Sequence, residues 1–214
     1  MQIAVSAPLE RAVPDSWWTV KRVIDVVLGL LLLIVLSPII IVAAAAIVCV
    51  TGGTPWYAQE RVGMNGCRFK LLKLRTMVNG AHAMRDDIMH LNELDGPVFK
   101  IRNDPRLHPL GRFLRQTSID ELPNLLNVVA GDMSLVGPRP ALPSEVAHYD
   151  AYALRRLTVP QGLTCLWQIN GRSHVSFEEW MTLDNRYVDT WTPLTDLTII
   201  ARTVPAVLRK DGAH

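Results

Sequence analysis

From Val26 to Val50 the chain carries no charged residue, a run longer than the ~20 apolar residues that cross a ~30 Å hydrocarbon core as a helix. Such a segment must find lipid or apolar protein, and the sequence holds no second run of that length to pack against it. Ser37 and Pro38 interrupt it near the middle. An interior proline cannot donate to the carbonyl four residues back, and its ring crowds the preceding turn, at about 3 kcal/mol in an unsupported helix. The Ser37 hydroxyl can donate to a freed carbonyl and so ease a bend. Each half of the run reaches only about 16–18 Å, too short to cross alone. Basic residues flank both ends: Lys21 and Arg22 before it, Arg61, Arg68, Lys70, Lys73 and Arg75 after it. Cytoplasmic flanks collect Lys and Arg. A straight span would export one of these flanks, whereas a helix-break-helix that dips into one leaflet and returns keeps both on one side. The expected organisation is an N-terminal tail over 1–20, a re-entrant membrane segment over 21–50 broken at Ser37 and Pro38, and a cytosolic domain over 51–214. A signal peptide fits less well, because the run is too long and begins after twenty-odd residues.

A chain of 214 residues supports one core plus an anchor. Its formal charge of +2 is not that of a non-specific nucleic-acid binder. The three cysteines, Cys49, Cys67 and Cys165, are odd in number and lack CxxC spacing, which argues against a disulfide framework or a zinc site and suits a reducing compartment. The histidines show no ligand spacing.

Beyond the run, Asn65-Gly66 between apolar-alternating flanks predicts a β-hairpin, with Lys73 and Arg75 on one strand face. The same pair also suits a solvated basic edge that resists aggregation. The segment around Asp86-Asp87 predicts a surface helix, and that pair lacks the DxD spacing of a metal site. The stretch GRFLRQTSIDELPNLLNVVAGDMSLVGPRP, residues 111–140, is the most informative. Pro123 near its start and Gly131 at its end bracket a helix. Ser118-x-x-Glu121 has the form of a capping box, which would account for Glu121. It leaves Asp120 and the surrounding Arg112, Arg115 and Arg139 unexplained. Two carboxylates beside several guanidinium groups make chemical sense when Mg²⁺ and a polyphosphate occupy the gap, since carboxylates bind the cation and arginines bind phosphate bidentately. A third cluster, Gly162 followed by Trp167, Gln168, Asn170 and Arg172, could serve a flat base and its phosphates, or Trp167 could be a core residue beside an ordinary turn. The tail from Asp196 to Lys210 is amphipathic, suited to the core or to a membrane surface.

Together KRVIDVV, the Ser37-Pro38 break, QERVGMNG, FKLLKLRTM, the 111–140 segment, TCLWQINGR and LDNRYVDTW resemble one family, the monotopic phosphoglycosyl transferases of the bacterial sugar transferase type. The resemblance runs from about Lys21 to Lys210. It implies an α+β fold, a mainly helical cytosolic catalytic domain with a short β-hairpin, attached to a re-entrant helix at the bacterial inner membrane and to interfacial amphipathic helices. It implies Mg²⁺-dependent transfer of a sugar 1-phosphate from a UDP-sugar to undecaprenyl phosphate with release of UMP, as the first membrane step of exopolysaccharide or O-antigen synthesis. Asp120 and Glu121 match the catalytic, metal-holding dyad, with Asp120 as the covalent nucleophile. Lys73, Arg75, Arg115 and Arg139 match the family's basic positions, and Gln168, Asn170 and Arg172 are candidate substrate contacts. Expected partners are the UDP-sugar, undecaprenyl phosphate and membrane lipids, with no nucleic acid; a homodimer is compatible. The family's PGxTG loop departs here, with Pro160 shifted and Cys165 replacing a glycine. Two other readings of the same residues are a membrane-attached Mg²⁺-dependent phosphohydrolase and a non-catalytic scaffold.

Overall fold

The computed structural model of the chain describes residues 15–81, 83–93, 97–99, 101, 103–170 and 175–209. It opens with one long helix, α1 (Asp15–Thr51), followed by the hairpin strands β1 (Trp56–Val62) and β2 (Arg68–Leu74). Next come a 3₁₀ segment (Ala83–Leu91), α2 (Pro109–Gln116), a 3₁₀ turn (Ile119–Glu121) and α3 (Asn124–Ala130). Strand β3 (Ser134–Val136), the short helices α4 (Pro143–Val146) and α5 (Ala151–Leu154), strand β4 (Gly162–Thr164) and α6 (Leu166–Ile169) complete the middle. Helices α7 (Phe177–Thr190) and α8 (Pro193–Arg209) close the chain.

The α+β class is as expected. The hairpin forms in register Val62↔Arg68 and Tyr57↔Lys73, turning through Asn65 and Gly66, both at positive φ. A second two-stranded sheet pairs β3 with β4 in parallel. Its three-residue strands were below what periodicity can reveal. The predicted surface helix at Asp86-Asp87 is a 3₁₀ segment instead, and both acids are exposed. Three residues after the end of β3 at Val136, the arginine of Pro138-Arg139-Pro140 is delivered to the site described below.

α1 differs from the helix-break-helix expectation. It continues through Pro38 as one helix, and the reason is local. Ser37 Oγ donates to Ile34 O at 2.8 Å, the same carbonyl that loses its amide partner at Pro38. One stripe of α1 packs on the rest of the protein along nearly its whole length. Lys21 Nζ reaches Asp196 Oδ2 at 2.5 Å and Val136 O at 2.9 Å. Arg22 donates to the carbonyls of Val128 and Val129 at the end of α3, where a cation suits the unpaired carbonyls. Asp25 accepts from Ser134 Oγ and Leu135 N. Leu28, Leu33 and Leu36 then join one core cluster, and Ile40, Ala43 and Ile47 join Leu74 and Leu114 in another. Spacings mostly of three and four residues put this stripe on one helix face. Lys21 is therefore a buried partner of Asp196 rather than a solvated flank charge.

The opposite face of α1 is apolar and open. Val27, Leu30, Leu31, Ile34, Val35, Ile41, Val42 and Val48 are all exposed. The helix is long and apolar enough to cross a membrane, and only 17% of its most apolar window is buried in the protein. A surface of this kind marks a membrane or partner-binding face, and its length and composition suit a membrane. α8 divides in the same way: Ile199 is buried and Thr203 meets Thr164 at 2.7 Å, while Leu194, Leu197 and Val204 are exposed.

Candidate active site

The site forms where β2, the turn after α2 and the Pro138-Arg139-Pro140 segment meet. His108 caps α2 by accepting from Gly111 N through Nδ1, and its Nε2 lies 2.9 Å from the Arg75 carbonyl. Gly111 makes this approach feasible, because a Cβ there would sit 2.0 Å from Thr76 O. Two residues past the end of α2, Ser118 adopts φ 56°, ψ 16°. For a residue other than glycine this left-handed conformation costs roughly 1–2 kcal/mol, and strain of this kind clusters at functional sites. It redirects the chain into the 3₁₀ turn bearing Asp120 and Glu121. No Ser118 side-chain cap forms, so the capping-box explanation of Glu121 does not hold.

Glu121 faces cations instead. Lys73 Nζ donates to its Oε1 at 2.6 Å, and both terminal nitrogens of Arg139 reach the same oxygen at 3.2 Å. Oε2 has no hydrogen bond among the described residues. Burial alone would raise this carboxyl, but Lys73 and Arg139 override it and hold it well below the usual carboxylate range. Asp120 has the opposite balance. It is buried and has no hydrogen bond or ion pair among the described residues. Burial, with the neighbouring Glu121 charge, pushes it up to about 6 against the pull of Lys73, Arg115 and Arg139. Adjacent carboxyls whose acidities are driven apart are a signature of divided roles.

The remaining expected residues separate. Arg115 lies in this electrostatic group, with Nε on Thr76 Oγ1 at 3.1 Å. Arg75 falls one residue beyond β2, and its guanidinium turns to Asn79 Oδ1 at 2.7 Å and to Thr51 Oγ1 at the end of α1. It ties α1 to the domain and does not reach the dyad. Gln168 accepts from Cys165 Sγ at 3.7 Å, and Asn170 Nδ2 closes its own turn on Leu166 O at 2.8 Å. Trp167 is stacked on Trp180 with centroids 4.7 Å apart in the core, so it is a packing residue. Arg172 lies outside the described residues. Cys165 is buried in the same core, and burial pushes its thiol up to about 12. It is a neutral packing group.

Three residues at or behind the cleft carry no site assignment from the sequence, where Arg61 reads only as a flanking charge. Arg61 and Asn124 line the cleft together with Lys73, Glu121 and Arg139. Asn124 is buried, its Oδ1 is unpaired, and its side chain has no partner among the described residues. A buried amide left idle beside a cleft is costly unless something completes it. The third is Arg156, which holds Arg139 from behind. Its Nη2 donates to Arg139 O at 2.6 Å, while Gly162 N donates to Pro138 O and Arg61 Nη1 donates to Pro140 O. Each carbonyl of the Pro138-Arg139-Pro140 segment is thus fixed. No local signal marks Arg156, because its partners Tyr149 and Asp184 are set by the tertiary fold.

Chemically, two acids stand among Lys73, Arg61, Arg115 and Arg139, a surplus of positive charge suited to a polyphosphate. Among the described residues no three His, Cys, Asp or Glu side chains group as a metal centre. The free carboxylate of Asp120 and the open Oε2 of Glu121 nonetheless fit Mg²⁺, which is commonly held by one or two carboxylates plus substrate phosphates and water.

Comparison with known proteins gives the chain a family. The family model for bacterial sugar transferases matches residues 16–210. The UDP-galactose-lipid carrier transferase of Erwinia amylovora is 39% identical over 91% of this chain and 42% of its own length. The exopolysaccharide production protein ExoY of Sinorhizobium fredii is 39% identical over 91% of this chain and 88% of its own. The UDP-glucose:undecaprenyl-phosphate glucose-1-phosphate transferase of Caulobacter vibrioides is 41% identical over 97% of this chain and 75% of its own. The chain spans less than half the length of some of these relatives, 42% for the Erwinia protein and 36% for the galactosyl transferase CpsE of Streptococcus agalactiae. With the family model covering the helix, the dyad and α8 alike, this chain belongs to the bacterial sugar transferase family.

Proposed function

We propose that the chain transfers a sugar 1-phosphate from a UDP-sugar to undecaprenyl phosphate, releasing UMP, as the first membrane step of exopolysaccharide or O-antigen synthesis. The observation that carries this reading is the split dyad: a buried Asp120 with no hydrogen bond or ion pair among the described residues, beside a Glu121 whose Oε1 is already held by Lys73 and Arg139. The names of the relatives support the donor and acceptor classes.

In the proposed sequence an Asp120 carboxylate oxygen attacks the phosphorus bonded to the sugar. The bond from that phosphorus to the UMP oxygen breaks, and UMP leaves with the electron pair. A phosphate oxygen of undecaprenyl phosphate then attacks the same phosphorus, and the acyl phosphate bond breaks to regenerate Asp120. Lys73, Arg139 and Arg115 bind the pyrophosphate oxygens and offset charge that builds as UMP departs. The substrate phosphates compete with Glu121 for Lys73 and Arg139, so donor binding opens the ion pairs of the resting site. Glu121 keeps these cations aimed before the donor arrives. Asp120 and Glu121 would hold Mg²⁺, which when bound supplies further charge neutralisation on the pyrophosphate.

The proposed topology is monotopic, at the bacterial inner membrane with the catalytic domain cytoplasmic. What supports it is the stripe of α1 from Lys21 to Ile47, which contacts one globular domain at both ends. A helix so packed keeps both ends near the same domain, and its open apolar face can lie in the adjoining leaflet. The test is UMP release from a panel of UDP-sugars with undecaprenyl phosphate and Mg²⁺. Lipid-dependent release that is lost in Asp120→Asn supports transfer. Lipid-independent release of free sugar phosphate would make the chain a phosphohydrolase instead, and wild-type behaviour of Asp120→Asn would leave the dyad without a catalytic role.

A further inference from the structure

A second cavity lies outside the dyad cleft. It is a groove of about 380 Å³ between the half of α1 that follows Pro38 and the helix α2, a size in the range that holds a drug-sized ligand. Val42, Ala43 and Ala46 form one wall, Leu110 and Phe113 the other, and Ile119 closes the end. Every lining residue is apolar. The groove is therefore no place for a nucleotide, a sugar or a phosphate.

Its position relative to Asp120 gives it meaning. Ile119 and Asp120 are consecutive in a 3₁₀ turn, where successive side chains diverge by about 120°. Ile119 faces the groove, while Asp120 lies within the electrostatic reach of Lys73, Arg115 and Arg139. α2 repeats the division. Leu110, Phe113 and Leu114 share the groove face at spacings of three and four, whereas Arg115 turns to Thr76 and the dyad. One short helix and one turn thus present an apolar trough on one side and a phosphate-binding charge cluster on the other. The trough also adjoins the exposed apolar face of α1, where Ile39 and Val42 are open. A ligand that fits both sides has an anionic phosphate head on a single long apolar chain.

We infer that this groove holds the first isoprene units of the acceptor lipid, seating its phosphate beside Asp120 while the rest of the chain runs along α1 into the leaflet. The inference rests on the proposed transferase reading and assigns the acceptor's tail a place within it. Ala43 and Ala46 matter for their size, because their small side chains leave the trough open between the two helices. Ala46 is at the rim and half-buried, so a larger side chain there fills the trough without displacing the core beneath.

The test uses the full chain in nanodiscs. In the first arm, a prenyl phosphate bearing a diazirine near its head is photo-crosslinked and mapped by mass spectrometry. Adducts on Val42, Ala46 or Phe113 that undecaprenyl phosphate competes away, and phosphatidylglycerol does not, support the assignment. Adducts elsewhere overturn it, as does equal competition by phosphatidylglycerol, which would give the groove to bulk lipid. In the second arm, Ala46→Phe is compared with Val48→Phe, which places the same aromatic side chain on the open face of α1. The expected result is a KM for undecaprenyl phosphate raised about tenfold in A46F alone, with the KM for UDP-sugar unchanged. Equal acceptor KM values in A46F and V48F overturn the groove while leaving transfer intact. Groove adducts without transfer from any UDP-sugar would keep the groove and remove the transferase reading.

Discussion

Two acid–cation centres lie close together in this protein, and they are built oppositely. At the sealed one, Arg156 and Asp184 are both fully buried at 2.7 Å, one charge against one, with Tyr149 OH and the Trp180 ring beside the guanidinium. At the other, two acids share Lys73, Arg61, Arg115 and Arg139, and one of the acids has no hydrogen bond or ion pair among the described residues. Balance and closure serve structure; imbalance beside a cleft serves binding and reaction. The two are joined through the Arg139 carbonyl, which Arg156 holds at 2.6 Å. The balanced pair therefore positions the unbalanced one.

Five variants separate the two centres. The largest effect is expected from Asp120→Asn, which should reduce transfer by at least about 10³-fold while leaving the melting temperature unchanged or higher, because it removes a buried, unpaired carboxylate. UMP release and thermal denaturation check the two halves of that statement. Next is Arg156→Ala, which strands Asp184 and should cost about 3–5 kcal/mol of stability. Pairing Arg156→Met with Asp184→Leu should recover most of that loss in the same melting assay, yet leave transfer impaired, since Arg139 has lost its backbone clamp.

A smaller effect concerns pH. Asp120 must be ionised to attack, and its folded-state value is raised to about 6, so kcat/KM should fall about tenfold per pH unit below that value. Its contribution to stability runs the other way. Being raised relative to the unfolded chain, it favours the fold fully below the unfolded carboxyl range and loses that contribution as pH rises through about 6. Glu121→Gln removes the adjacent negative charge and should move the acidic limb of the rate profile to lower pH. A limb that stays in place would break the proposed coupling of the pair. The smallest effect is expected at Asn124→Ala. With no bonds to lose, stability should change by under about 0.5 kcal/mol, while the KM for UDP-sugar rises several-fold.

Much of this was legible in local pattern. The Asn65-Gly66 turn, the proline and glycine bracketing α3, and Asp120-Glu121 among arginines all act within a few residues. The dyad's cations were only partly legible. Lys73 and Arg75 are two apart on paper, but β2 ends between them and Arg75 turns back to Thr51 and Asn79. A strand's alternation says nothing about where the strand stops. Glu121 looked like a helix cap because sequence spacing cannot show that Ser118 adopts a left-handed conformation. Pro38 looked like a break, and the Ser37 bond to Ile34 O shows how the helix carries on through it. Arg156 and Asn124 were invisible, since burial with or without a partner is a property of the assembled fold.

The central claim is that Asp120 becomes covalently loaded before the lipid takes part. Its most direct measurement is rapid-quench intact mass spectrometry of the protein mixed with an accepted UDP-sugar and no lipid acceptor. The account predicts one equivalent of UMP and a sugar-phosphate adduct on Asp120, discharged when undecaprenyl phosphate is added. Unmodified protein, with UMP appearing only after the lipid is supplied, would contradict it.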